Sequence, residues 1–181
     1  MEILSENDYV RIVRVSLAEG QAAPSYTPAA NALVRINLRS GPQLGEVRYG
    51  EAGPPEVAAG MPVAENIDEM RVELKAPTRS LSMPRDAVRI DPKRYKIVLE
   101  NDRVRVVRLR FEGHQAGLMV THPPRVLTTL TEVQVKLIFA DGRREERGAP
   151  AGVAAWLEEE TLQTENARDE PLEVILVEPK G

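Results

Sequence analysis

The chain of 181 residues contains no cysteine, which excludes disulfides, thiolate metal sites and cysteine nucleophiles together. It has two histidines, His114 and His122, so three imidazoles cannot meet within one chain. Aromatic residues are 4% of the sequence against 42% hydrophobic residues overall, and the core must therefore be aliphatic. No stretch approaches the roughly 18 consecutive apolar residues that a membrane helix needs. The first eight residues show no basic region leading into an apolar run, and the expected location is the cytoplasm. Polybasic segments and acidic tails are also missing, and the formal net charge of -4 is spread along the chain. Nucleic acid and membrane surfaces are accordingly not expected partners. No serine stands in a nucleophile-elbow context, and no Gly-rich phosphate loop leads into a helix.

What the sequence does contain is a repeat. Residues 6–15 read ENDYVRIVRV and residues 100–109 read ENDRVRVVRL. Glu6, Asn7, Asp8, Val10, Arg11, Val13 and Arg14 recur as Glu100, Asn101, Asp102, Val104, Arg105, Val107 and Arg108. Further on, Gln21-Ala22 matches Gln115-Ala116, Thr27 matches Thr121, and Glu65-Asn66 parallels Glu165-Asn166. Each repeat also carries a change of phase. Val10 and Ile12 alternate on one face, then Val13, Val15 and Leu17 take the other; Val104, Val106, Val107, Leu109 and Phe111 repeat the pattern. A β-bulge produces such a switch, and so does a strand buried on both faces.

Further strands are expected at Ala32 to Leu38, Met70 to Lys75, Val126 to Leu130, Val133 to Phe139 and Leu172 to Glu178. Asp141-Gly142 signals a tight turn, and Gly41-Pro42 and Gly53-Pro54-Pro55 read as turns as well. Residues 76–94, with Pro77, Pro84 and Pro92, read as a connection whose Asp86 to Ile90 stretch adds an edge strand. Val153 to Leu162 is rich in helix formers, but the repeat and the strand spacing favour strand, turn, strand.

The segments DPKRYKIVLENDRVRVVRL and GVAAW…TENARDEPLEVILVEPK resemble the small single-domain cupins with an ENDRVRV opening strand, over most of residues 86–180. The first half is similar at its two ends, ENDYVRIVRV and ENIDEMRVELK, with a shortened middle. The resemblance implies an all-β fold of tandem jelly-roll β-barrels, a bicupin. Residues 1–76 would form a degenerate first barrel, 77–94 a linker and 95–181 the second barrel.

In cupins the metal is held by two histidines one residue apart, a glutamate a few residues later and a third histidine from a later strand. The resemblance maps these positions in the second half onto Val120, His122, Val126 or Leu127, and Leu162. In the first half it maps them onto Tyr26, Pro28 and Pro62. His122 alone keeps a ligand, and a divalent ion requires at least three. No metal or other cofactor is expected, and the Lewis-acid chemistry of cupin enzymes is not carried over. The expectation is a non-metal cupin-like binding or structural module, monomeric or homodimeric, with a small molecule as its partner. Val120, His122, Leu127, Trp156 and Leu162 are expected to line a cavity of the second barrel, and the shortened first half to have little or none.

Two other readings stay open. One is a metal-dependent cupin enzyme with an atypical site using His122 and carboxylates; the other is a scaffold for protein interaction. His114 reads as an exposed loop residue and Glu158-Glu159-Glu160 as a solvated turn. Arg11, Arg14, Arg105 and Arg108 read as structural partners of carboxylates on neighbouring strands.

Overall fold

The computed structural model describes residues 1–51, 59–76 and 83–180. The chain divides into two compact units, Met1–Pro77 and Thr78–Gly181. The turn expected at Gly53-Pro54-Pro55 and residues 77–82 of the expected linker lie outside the described residues.

Five strands build the first unit: β1 (Glu2–Glu6), β2 (Val10–Leu17), β3 (Ala32–Asn37), β4 (Val47–Glu51) and β5 (Ile67–Leu74). They form one antiparallel sheet in the order β1-β2-β5-β3-β4. The second unit opens with a helical turn, α1 (Ala87–Ile90), where an edge strand was expected. The Asp86 carbonyl accepts the N–H groups of Arg89 and Ile90, and Ala87 is buried in the core. From Asp86 on, the chain is therefore part of the second unit.

Nine strands follow: β6 (Tyr95–Glu100), β7 (Val104–Phe111), β8 (Val120–His122), β9 (Arg125–Thr129), β10 (Val133–Phe139), β11 (Arg144–Ala149), β12 (Ala154–Leu157), β13 (Glu160–Asn166) and β14 (Leu172–Pro179). They make a five-stranded sheet, β12-β9-β14-β7-β6, and a four-stranded sheet, β11-β10-β13-β8. Two sheets with one apolar interior are the jelly-roll solution to burying a sheet face. The strand, turn, strand expected over Val153 to Leu162 is present as β12 and β13, so sheet context overrides helix propensity there.

The two five-stranded sheets have the same strand order and the same irregularity. In β1, Ile3 faces Val13 and Ser5 faces Ile12, with Leu4 bulged out between them. In β6, Ile97 faces Val107 and Leu99 faces Val106, with Val98 bulged out. The bulge thus lies on the edge strand, opposite the phase switch. The repeated strands themselves pair without interruption to β5 and β14, and Ile12, Val13, Val106 and Val107 are all fully buried. Both explanations of the switch hold together: a strand buried on both faces, beside a bulged neighbour.

The units differ in what covers the concave face. In the second unit the run from Leu130 to Val153, between β9 and β12, contains the β10–β11 hairpin. Between β3 and β4 the first unit has only Leu38 to Glu46, a tight connection in which Leu44 bonds back to Gly41 and Gly45 to Asn37. The first unit has no counterpart of this hairpin, and no second sheet is found there among the described residues. Loops supply Ala23, Tyr26 and Val63 against Val13, Val15 and Leu17 instead.

The turn after β7 closes tightly on the loop before β14. His114 takes a left-handed conformation (φ 54°), and its N–H bonds to the Arg168 carbonyl. A Cβ added at Gly113 would lie 2.0 Å from the Asp169 carbonyl oxygen. Because the obstacle is backbone, Gly113→Ala is expected to destabilise the second unit by about 1–3 kcal/mol. Urea unfolding checks this, and an unchanged midpoint would contradict the packing.

Candidate functional site

Val120 and Leu162 face each other across β8 and β13. Both are buried in the cluster of Val107, Leu109, Phe111, Leu137 and Leu172, with Leu127 packed against it. His122, two residues beyond Val120, is 3% exposed. Its Nε2 lies 3.3 Å from the Tyr95 hydroxyl, and Tyr95 belongs to the same cluster. Trp156 pairs with Val126 while Ala155 pairs with Leu127. By strand alternation the indole is therefore on the face opposite Leu127, where its N–H donates to Glu158 at 2.7 Å. The structure brings four of the five expected residues to the interior side and places Trp156 apart from them.

Around His122 the interior becomes polar and charged. Arg105 forks onto Asp86 through Nη1 (3.1 Å) and Nη2 (2.6 Å), and its Nε meets Glu178 at 2.5 Å. Arg125 donates to the carbonyls of Pro123 and Glu158 and to the Glu160 carboxylate at 3.0 Å. Glu160 also binds Arg147, so this member of the acidic run is structural while Glu158 and Glu159 are exposed. Burial pushes the Tyr95 hydroxyl and the Glu178 carboxyl above their ordinary ranges. Burial, reinforced by the Arg125 and Arg105 cations, holds His122 well below the ordinary imidazole value of 6.5. The imidazole is neutral.

These residues do not fit a divalent metal. Of the four mapped positions, His122 alone carries a donor. Its Nε2 is engaged by Tyr95, and two guanidiniums stand where a cation would have to be stabilised. Among the described residues no three His, Asp or Glu side chains are arranged to hold an ion. No reaction step through a metal is derived for this chain.

The burial of a neutral histidine has a consequence for stability. The unfolded chain takes up a proton near pH 6.5 and the folded one does not, so the unfolded state binds more protons below that pH. Stability is therefore retained above about pH 6.5 and lost as pH falls, by up to about 1.4 kcal/mol per unit. His122→Gln is expected to flatten the fall between pH 7 and 5.5 in urea unfolding. Parallel profiles for His122→Gln and the parent would contradict the assignment.

The first unit presents a different concave face. Counting from the two bulges, Ile3, Val13, Arg71, Arg35 and Arg48 lie opposite one another across β1, β2, β5, β3 and β4. The same row in the second unit is Ile97, Val107, Leu176, Leu127 and Ala155. Where the second unit has Leu176, Leu127 and Ala155, the first has three arginines, and no second sheet covers them among the described residues. They line an open cleft of about 360 Å³ together with Asn37, Gln43 and Glu69. Glu69 accepts from Arg71 Nε at 2.5 Å, and Arg39 reaches Glu65 at 2.9 Å. The first half was expected to hold little or no cavity; what it carries is this open cleft on the uncovered face of its sheet. Sequence reading missed the row because β4 carries no strong strand signal. The available signal was Arg35, a lone charge inside the otherwise aliphatic start of β3.

No family model matches this sequence, and no curated protein does. Among solved structures, AerE from Microcystis aeruginosa is similar with a TM-score of 0.55 at 11% identity, over 99% of this chain and 97% of that one. A mutant of the oxalate decarboxylase of Bacillus subtilis gives 0.54 at 10% identity, over 96% of this chain and 69% of that one. A cupin 2 conserved barrel domain protein from Leptotrichia buccalis gives 0.50 at 13% identity, over 99% and 88%. At these identities the likeness speaks for the fold alone. The chain is an all-β protein with the cupin, double-stranded β-helix fold, and no helix among the described residues is long and apolar enough to cross a membrane.

Proposed function

We propose that this chain is a two-unit cupin, derived by internal duplication, that binds a small polar molecule without metal-dependent catalysis, and that the open concave face of the first unit is the binding surface. The duplication is supported by the shared strand order, the matching bulges at Leu4 and Val98, and the repeated text beside them. The observation that carries the binding reading is the Arg48–Arg35–Arg71 row. Equivalent positions in the second unit are apolar, so the fold does not require charge there, and like charges placed directly opposite cost stability. Polar residues that the fold does not need, lining a cleft of about 360 Å³, are the usual mark of a ligand site.

A second reading rests on a separate observation. His122 Nδ1 and Arg125 Nε are both buried with no hydrogen-bond partner among the described residues, and buried polar groups are ordinarily satisfied. A small ligand beside His122, against Val120, Leu127 and Leu162, would supply the missing partner.

Thermal-shift screening of the whole chain against a set of metabolites, followed by hydrogen exchange on the hits, separates the two. Binding in the first unit is expected to raise the melting temperature and to slow exchange in β3, β4 and β5. Protection confined to β8 and β13 would move the site to His122. Turnover that depends on added metal would refute the non-catalytic reading.

A further inference from the structure

We infer that the interior of the second unit binds a small uncharged molecule through a carbonyl oxygen that accepts from His122 Nδ1 and Arg125 Nε, an inference that rests on reading His122 as a ligand's neighbour and is independent of the first unit's cleft. Both nitrogens are buried without a hydrogen-bond partner among the described residues. The Tyr95 hydroxyl fixes where His122 carries its proton. Tyr95 is buried, and His122 Nε2 is the one hydrogen-bond partner of its hydroxyl among the described residues. The O–H therefore donates to Nε2, which leaves the imidazole proton on Nδ1. The opposite tautomer would strand the hydroxyl proton as well as the Nδ1 lone pair. His122 Nδ1 is thus a donor, as Arg125 Nε always is. Strand alternation puts Val120 on the side of His122 in β8 and Leu127 on the side of Arg125 in β9, and both aliphatic residues pack into the core. The two donors accordingly stand on the interior sides of two strands, beside an aliphatic wall.

Charge does not call for an ion here. Arg105 is bound to Asp86 and Glu178, and Arg125 and Arg147 share Glu160. Every guanidinium of the network meets a carboxylate, so what is unmet is an acceptor and not a counter-charge. A further anion would be buried among carboxylates, at a cost in desolvation. A water would accept from both donors but would bring two protons of its own toward Val120, Leu127 and Leu162, and a buried water needs polar partners for them. A carbonyl oxygen accepts two hydrogen bonds and donates none, and an aliphatic body attached to it suits the apolar wall. The ligand class is a small ketone or amide.

The test is NMR of the whole chain carrying isotope-labelled histidine, titrated with isopropyl methyl ketone, isobutyramide and isobutyrate. The protein alone is expected to show His122 with its proton on Nδ1. Ketone or amide should shift the His122 Nδ1 signal, saturating at one site per chain, and leave His114 unmoved. Isobutyrate, of the same size but charged, should bind at least about fivefold more weakly. In Arg125→Met the ketone should bind about tenfold more weakly; should that variant fail to fold, the tautomer and the titrations of the parent still decide. A proton on Nε2 in the protein alone would overturn the inference, for the donor it relies on would be absent. Isobutyrate binding as tightly as the ketone would overturn the uncharged class while keeping His122 as a site, and unchanged ketone binding in a folded Arg125→Met would overturn the part given to Arg125. No movement of His122 with any probe, with or without a cross-peak from its Nδ1 proton to ordered water, would overturn the inference. If hydrogen exchange in the metabolite screen also leaves β8 and β13 unprotected, the reading of His122 as a ligand's neighbour falls with it.

Discussion

Replacing Arg105 with methionine should lower the stability of the second unit by about 3–5 kcal/mol, the usual result of breaking a buried ion pair. Its side chain is 8% exposed, and its partners Asp86 and Glu178 are 6% and 1% exposed. Removing the guanidinium leaves two carboxylates in the interior without the cation that binds them both. Much of the loss is the desolvation of those partners and not the attraction itself, so Arg105→Met/Asp86→Ala/Glu178→Met should recover a large part of it. Arg108 is the control. It lies three residues on and is 36% exposed, and its partner Glu173 is bound by Arg110 as well. Arg108→Met should cost no more than about 1 kcal/mol. Urea unfolding of the four proteins gives the answer. Equal losses at Arg105 and Arg108 would show that the interior pair is solvated.

Phe111→Ala is expected to cost about 3–5 kcal/mol. Phe111 is fully buried and fills the space between the two sheets of the second unit. A Cβ at Gly117 would come within 2.9 Å of its ring, and the Arg94 guanidinium lies 5.4 Å from the ring centroid. Protein interiors are close-packed, so the space the ring vacates is not readily refilled. By register the corresponding residue of the first unit is Leu17, on a face covered by loops and not by a second sheet. Its truncation should fall at the low end of the leucine range, about 2 kcal/mol. A Leu17→Ala loss as large as that of Phe111→Ala would contradict the open concave face.

Much of this architecture was legible in the sequence. The ENDYVRIVRV and ENDRVRVVRL segments are strands at equivalent positions, and their phase switch marks the bulged edge of each sheet. Their arginines do pair with carboxylates: Arg14 with Asp68, Arg105 with Glu178, and Arg108 with Glu173. The pairing is intrinsic to the strand's alternation, which is why it can be read locally.

What could not be read depends on contacts distant in sequence. The Asp86 segment has strand-like residues, yet Arg105 draws its carboxylate inward and the chain turns helical. Trp156 faces away from Leu127 because the β9–β12 register, which no local pattern reports, pairs it with Val126. The arginine row arises from three strands, and its members are neighbours only after the sheet has formed. The short middle of the first half was visible in the sequence, but that it leaves a concave face uncovered is a property of the assembled sheet.

The non-metal reading proposed for this chain rests on the guanidinium–carboxylate network around His122. Elemental analysis of the protein, purified without chelators from cells grown in metal-supplemented medium, tests it most directly. The account predicts no stoichiometric manganese, iron, nickel, copper or zinc, and no difference between the parent and His122→Gln. A transition metal present at one equivalent per chain, and lost on replacing His122, would contradict it.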